Sequence, residues 1–254
     1  MSEAAELART LSEAGCIAAR EEATELIAAS GGDRRVLARL VERRVRGEPL
    51  AWLTGRIGFA GVEVGVEVGV YVPRWQTEAL ALRAASLLPP GGVAVDLCTG
   101  SGAVAMVMAA TVPTARVVAT EIDARAVRCA RANGVAVLAG SLDDPLPVEL
   151  EGAVDVLTSV VPYVPTGALP LLPRDVRKFE PLQALDGGLD GMATMAEVAR
   201  RSTRWLRGGG RLLLELGGEQ AEPMSRRLTE LGFEEPEVMT DEEGDPRAVC
   251  ARLG

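Results

Sequence analysis

The sequence predicts an α/β protein whose main part is a doubly wound, mostly parallel sheet with helices on both faces. Three observations carry this. From residue 89 onward, short apolar runs alternate with helix-length amphipathic stretches, the pattern of parallel strands joined by crossover helices. Apolar residues make up 48% of the chain but aromatic ones only 3%, so the core is built from Val, Leu and Ala, which suits strands buried on both faces. Acids also fall where apolar runs stop: Asp96 follows Val93-Ala94-Val95, and Glu121 follows Val117 to Thr120. Ligands of such sheets bind beyond the carboxyl ends of the strands.

Residues 2–29 carry helical periodicity, with Leu7, Leu11, Ile17, Ala23, Leu26 and Ile27 set among Glu and Arg. Ser30-Gly31-Gly32 breaks the pattern. Asp33 can cap a further helix to about Gly47, with Val36, Leu37, Leu40, Val41 and Val45 on its inner side. Residues 1–48 are therefore expected to form a small N-terminal helical domain, either a substrate-docking element or a structural cap. Residues 49–88 read as a connector. The alternation over Gly61–Val72, G-V-E-V-G-V-E-V-G-V-Y-V, predicts a strand or hairpin with Glu63 and Glu67 on one face, followed by a helix to about Leu88. Local rules favour Thr77 and Glu78 as caps of that helix, with a ligand-facing role as the alternative.

The main domain, 89–254, is expected to hold strands near 93–96, 117–120, 135–138, 154–159, 211–216, 235–239 and 247–252. Helices are expected near 102–110, 123–132, 192–206 and 219–231. Gly208–Gly210 reads as a turn ahead of the fifth strand, and 241–245 as a charged loop. The chain is organised around Val93–Gly102, V-A-V-D-L-C-T-G-S-G: strand, glycine turn, helix. Glycine permits a sharp turn and close approach of a ligand, and the helix N-terminus offers free N–H groups. The dinucleotide fingerprint G-x-G-x-x-G is absent. Glu121 can accept both hydroxyls of a ribose. Asp96, Glu121, Ser141 and Ser159–Tyr163 all fall at one edge of the sheet. A tight turn and a solvated strand-end acid are the plainer alternatives.

The net charge of −9 argues against nonspecific nucleic-acid binding, which needs a basic surface. No apolar run reaches the ~20 residues of a membrane span. The opening M-S-E-A-A-E is acidic where a signal peptide is basic, so no membrane role and a cytoplasmic location are expected. Cys16, Cys98, Cys129 and Cys250 form no C-x-x-C pair and read as small buried residues of a reducing compartment. Histidine is absent, which removes Ser–His and Cys–His catalysis and His-ligated metals. Proton transfer then falls to a carboxylate, Tyr, Lys, Cys, the backbone, water or the substrate itself.

The D-x-x-x-G-x-G of Asp96–Gly102 resembles motif I of the class I S-adenosylmethionine (SAM) methyltransferases. Further segments narrow the likeness. They are G-E-P-L-A-W-L-T-G-R (Gly47–Arg56), V-P-R-x-x-T-E (Val72–Glu78), D-L-C-T-G-S-G-A-V (Asp96–Val104) and P-Y-V-P (Pro162–Pro165). E-P-L-Q-A-L-D-G-G-L-D-G (Glu180–Gly191) and G-G-R-L-L-L-E-L-G (Gly209–Gly217) complete the set. Together they resemble the protein N5-glutamine methyltransferases that modify release factors, especially their actinobacterial branch, from about residue 35 to 250.

The resemblance implies a seven-stranded Rossmann-like methyltransferase sheet, SAM as co-substrate or sole substrate, and no metal. It implies SAM contacts from Asp96, Cys98, Thr99, Gly100, Gly102, Glu121, Ile122, Ser141, Leu142, Ser159 and Thr77. Arg74 is open to two readings, a fork contact to the SAM carboxylate or a surface position. Val160, Val161, Pro162 and Tyr163 take the catalytic positions, and Phe59, Arg74, Val160 and Tyr163 the substrate contacts. For Phe59 and Trp52 a core role is the favoured alternative, as aromatic residues in so aromatic-poor a chain are more often core. Glu180 and Asp186 are expected to brace the loop over the site. The acceptor is a small molecule or a protein.

The chain departs from the family where the acceptor is held. The family signature after the fourth strand is N-P-P-Y, or N-A-P-Y in the relatives, and its Asn side chain and a following carbonyl hold the glutamine amide. Here the segment is Ser159-Val160-Val161-Pro162-Tyr163, with Val160 where the Asn would stand. Valine neither donates nor accepts, so a buried amide facing it loses partners at about 1–3 kcal/mol each. Ser141 replaces an acid, with Asp143 or Asp144 expected to take over its adenine contact, and Trp75-Gln76 replaces Pro-Glu or basic residues.

Three functions fit. One is methyl transfer to a changed acceptor, where orientation alone supplies about 7–11 kcal/mol and a dedicated base is optional. A second is a biosynthetic cyclisation of SAM that releases methylthioadenosine and forms azetidine-2-carboxylate or 1-aminocyclopropane-1-carboxylate, Tyr163 being the nearest base for carbon attack. The third is a noncatalytic SAM-binding partner protein that docks through its N-terminal helices. The oligomeric state is left open.

Overall fold

Four helices precede the sheet: α1 (Glu3–Glu13), α2 (Ala19–Ala29), α3 (Arg34–Val45) and α4 (Leu50–Thr54). They gather Leu7, Leu11, Ala23, Leu26, Leu40 and Leu53 into a core of their own. The computed structural model describes residues 2–254. The periodic stretch 2–29 is two helices, because the chain turns at Gly15 with φ +89°. Asp33 caps α3, accepting from the N–H groups of Arg35 (2.7 Å) and Val36 (3.2 Å). The Arg44 guanidinium donates twice to the Glu22 carboxylate (2.6 and 3.0 Å) and ties α3 to α2.

The alternating stretch Gly61–Val72 is strand only in part. β1 (Arg56–Phe59) and β2 (Val62–Gly65) form a two-stranded hairpin. Beyond Gly65 the chain leaves the ladder, and Val66, Val70 and Val72 bury themselves in the main core as irregular backbone. The Trp52 indole N–H holds this segment by donating to the Val70 carbonyl (2.9 Å).

The remaining strands are β3 (Val93–Leu97), β4 (Arg116–Glu121), β5 (Val137–Ala139), β6 (Val154–Ser159), β7 (Leu206–Glu215), β8 (Phe233–Thr240) and β9 (Pro246–Leu253). They form one seven-stranded sheet in the order β5-β4-β3-β6-β7-β9-β8. The first five in that order run parallel, and β9 alone is reversed, pairing antiparallel with β7 on one side and β8 on the other. Residues α5 (Glu78–Leu87), α6 (Ala103–Thr111) and α7 (Ala124–Ala132) cover one face. The short α8 (Arg174–Phe179) lies in the excursion after β6, and α9 (Ala193–Trp205) and α10 (Ala221–Glu230) cover the other face. Neighbouring strand residues point opposite ways. Ala94, Val156 and Leu213 therefore join α5 and α6, while Val95, Leu157 and Leu212 join α9 and α10.

Gly208–Gly210 lies inside β7 rather than in a turn before it. The register shifts there, Val154 pairing with Leu206 and Val156 with Arg211, and the glycines absorb the irregularity. The winding reverses between β3 and β6, which opens a crevice at the carboxyl ends of those strands. Among the described residues no helix is long and apolar enough to cross a membrane.

Candidate active site

Strand β3 delivers Asp96 beneath the glycine turn. Its side chain is buried and accepts from the hydroxyls of Thr99 and Thr158, the latter at 2.7 Å. Burial pushes its pKa up to about 6 against the pull of those two donors. Asp96 thus pins the turn to β6. The turn itself runs through left-handed backbone at Cys98 (φ +58°), Gly100 (φ +59°) and Gly102 (φ +89°). The two glycines do different things. A Cβ on Gly100 would meet nothing within 4 Å, so the space over it is open. A Cβ on Gly102 would come 2.7 Å from Val135 Cγ2, so this glycine lets α6 pack against the segment after α7.

Glu121 ends β4 beside the turn. It accepts from the backbone N–H groups of Gly100 (2.9 Å), Ile122 (2.7 Å) and Asp123 (2.8 Å). Three fixed donors hold its carboxylate in one orientation and leave lone pairs for a ligand.

A cavity of about 610 Å³ opens along this edge of the sheet. Cys98, Gly100, Glu121 and Ile122 wall its β3–β4 side. Val160 to Tyr163, which follow β6, wall the other side together with Tyr71, Arg74, Glu215 and Arg247. The open space over Gly100 and the oriented carboxylate of Glu121 fit the ribose of an adenosyl ligand, so the residues present fit SAM.

The segment after β6 is braced from behind. The Val164 N–H donates to the Leu185 carbonyl (3.1 Å), the Gly187 N–H to the Val164 carbonyl (2.9 Å), and the Gln220 amide to the Tyr163 carbonyl (2.8 Å). A Cβ on Gly187 would lie 2.6 Å from the Pro162 carbonyl oxygen, so the D-G-G-L-D-G run needs glycine to reach this backbone. Arg74 pairs with Glu180 and stacks 4.8 Å over the Tyr71 ring. Its guanidinium is thereby built into the wall. Asp186 holds the same loop by accepting from the Thr166 hydroxyl (2.7 Å) and the Gly188 N–H (3.0 Å).

The fold brings Cys98, Gly100, Glu121, Ile122, Arg74 and Val160 to Tyr163 together at the cavity. Other residues singled out from the sequence stand elsewhere. Asp96, Thr99, Gly102, Ser159 and Thr77 do not line it. The Ser159 hydroxyl donates to the Leu97 carbonyl (2.9 Å), and Thr77 is buried and makes no capping bond to α5. Ser141 is exposed outside the cavity, with Leu142 beside it. Both neighbouring acids are paired within the protein. Asp143 accepts from Arg201 (2.7 Å) and the Trp205 indole (2.8 Å), and Asp144 accepts from Arg201 (2.7 Å). Phe59 is buried in the main core.

Burial pushes the Cys98 thiol up to about 12, and burial together with Glu215 drives the Tyr163 hydroxyl well above its usual range. Neither ionises near neutrality. Tyr71, Glu215 and Arg247 are cavity residues that sequence reasoning missed. For Glu215 the signal existed: it is an acid closing an apolar run, L-L-L, like Asp96 and Glu121.

A family model described as "Methyltransferase small domain" matches residues 77–139. The release factor glutamine methyltransferase of Mycobacterium leprae is 37% identical, over 95% of this chain and 92% of that protein. Its counterpart from Streptomyces coelicolor is 33% identical, over 99% and 97%. That of Mycolicibacterium smegmatis is 39% identical, over 84% and 77%. Among solved structures, a methyltransferase from Pyrococcus furiosus shares the fold with a TM-score of 0.55 at 20% identity, over 76% of this chain and 90% of that one. A ribosomal protein L11 methylase from Lactobacillus delbrueckii subsp. bulgaricus does so with a TM-score of 0.52 at 17%, over 74% and 84%.

Proposed function

The chain belongs to the release factor glutamine methyltransferase family and is a SAM-dependent enzyme, and we propose that it delivers the methyl group to an acceptor other than a glutamine side-chain amide. Val160 is the observation that carries this. By the resemblance it stands where the family has its amide-holding Asn; in the structure it follows β6, lines the cavity and packs against the main core. The run Val160-Val161-Pro162 presents no side chain that donates or accepts a hydrogen bond. An amide placed against it gives up partners that water would supply, at about 1–3 kcal/mol each.

SAM, when bound, supplies a methyl group already activated as a sulfonium. The chain's own part is to hold and orient. Glu121 presents its fixed carboxylate to ribose hydroxyls, Gly100 leaves room for the ligand, and Pro162 and Tyr163 shape the acceptor side. Orientation of this kind is worth about 7–11 kcal/mol, so the lack of histidine is no obstacle. The raised pKa of Tyr163 weighs against SAM cyclisation by carbon attack, because the base which that reading would use stays protonated. A cavity of about 610 Å³ suits a nucleoside together with a compact acceptor group, a small molecule or a side chain of a protein.

The test is to incubate a release factor with SAM and either the wild-type chain or Val160→Asn, and to read the release factor's intact mass. The proposal expects no added methyl with the wild type. Methylation of the release-factor glutamine by the wild type contradicts it.

A further inference from the structure

Glu215 ends β7, one strand over from the acceptor segment. Ser159 of β6 pairs with Leu214 of β7, so Glu215 stands level with Val160. Its side chain lines the cavity and is only 3% exposed, and neither carboxylate oxygen has a hydrogen-bond partner. Such a group is costly unless something pairs with it. The cations nearby are already committed, Arg74 to Glu180 and Tyr71, Arg247 to Asp241 and Asp245. The Thr77 and Tyr163 hydroxyls face Glu215 without reaching hydrogen-bond geometry. The missing partner therefore comes from the cavity.

We propose that Glu215 is the acceptor-binding residue and that the acceptor it takes is a primary amine, entering as its ammonium. This rests on the reading that the acceptor is not a glutamine amide. A neutral amide would leave the buried charge uncompensated, whereas an ammonium brings three donors and the opposite charge. Val160, Val161 and Pro162 offer apolar surface to the carbon chain that carries the amine. An ammonium has no lone pair and must lose a proton before it can attack. Burial holds the Glu215 pKa above the usual carboxylate range, which suits it to take that proton. The proton passes from nitrogen to Glu215. The freed lone pair forms the N–C bond as the C–S bond of the sulfonium breaks, S-adenosylhomocysteine leaves, and Glu215 returns its proton to solvent.

The probe is n-butylamine, titrated calorimetrically into the full chain with S-adenosylhomocysteine present, beside butyramide and butyrate. Binding of n-butylamine is expected over both others, and Glu215→Gln is expected to weaken it at least tenfold with unchanged S-adenosylhomocysteine affinity. Wild-type affinity should also fall as pH drops through the raised Glu215 pKa. Among the groups around Glu215, the tyrosines and arginines do not mimic this. Tyr71 and Tyr163 are raised and neutral and Arg74 and Arg247 are raised and cationic, while burial also raises Glu180 in its pair with Arg74, so the limb is assigned by its loss in Glu215→Gln. Glu215→Gln should lack the acid limb. No binding of n-butylamine to the wild type, equal binding by Glu215→Gln, or a preference for butyramide overturns the proposal. The titration involves no methyl transfer, so its failure stands apart from methylation of a release-factor glutamine, which would overturn the underlying reading instead.

Discussion

The Thr158 hydroxyl donates to Asp96 Oδ1 at 2.7 Å, joining β6 to β3 where the winding of the sheet reverses. One bond thereby ties the floor of the glycine turn to the strand that leads into Val160–Tyr163. Thr158→Val leaves the buried Asp96 with only the Thr99 hydroxyl. A loss of about 1–3 kcal/mol is expected in denaturant unfolding, with SAM affinity falling alongside it.

Asp96 also predicts a pH dependence. Its folded pKa of about 6 lies above the ordinary 3.8 because burial outweighs its hydroxyl donors. The folded state therefore holds this proton more tightly than the unfolded chain does. Its stabilising contribution is fully present below about 3.8 and is lost as pH rises through about 6. The gap is worth about 3 kcal/mol. Asp96→Asn should flatten that decline when unfolding is followed at stepped pH, and an unchanged slope would place the titration in another group.

The two glycines of the turn should separate. Gly100→Ala adds a Cβ in open space at the cavity wall, so a fall in SAM affinity of tenfold or more is expected with a modest loss of stability of about 1 kcal/mol from the left-handed backbone. Gly102→Ala forces a contact with Val135 as well, and its melting temperature should fall further. Calorimetry with SAM and thermal melts together distinguish the two.

Arg74 and Glu180 form the strap between the segment before α5 and the loop over the site. The Glu180 side chain is 1% exposed, and one of its oxygens already lacks a partner. Arg74→Ala strands a buried carboxylate, at about 3 kcal/mol. The expected outcome is a lower melting temperature and faster proteolysis within 166–185. Arg74→Leu combined with Glu180→Leu should recover part of the stability, because it removes both charges together.

The glycine turn is legible in the sequence because two acids end two apolar runs and glycines follow the first. Which acid reaches the cavity is not legible from those runs. Asp96 is drawn inside by Thr158, 62 residues later, while three neighbouring N–H groups hold Glu121 at the cavity. Alternation over Gly61–Val72 reports the burial of Val64, Val66, Val70 and Val72 while Val68 is exposed, and only β2 has a partner strand, so Val66–Val72 is not part of the ladder. The Arg74–Glu180 pair spans 106 residues and leaves no local trace. Asp143 looks like a ligand acid until Arg201 and Trp205, both from α9, close over it.

The chemistry proposed for this fold is methyl transfer that refuses a glutamine amide. The most direct measurement follows the nucleoside released from SAM by liquid chromatography and mass spectrometry, with the enzyme alone, with a release factor, and with a mixture of primary amines. S-adenosylhomocysteine is expected with the amines, matched by N-methylated amine; neither S-adenosylhomocysteine with the release factor nor methylthioadenosine from SAM alone is expected. S-adenosylhomocysteine formed in step with a methylated release-factor glutamine, or methylthioadenosine from SAM alone, would contradict it.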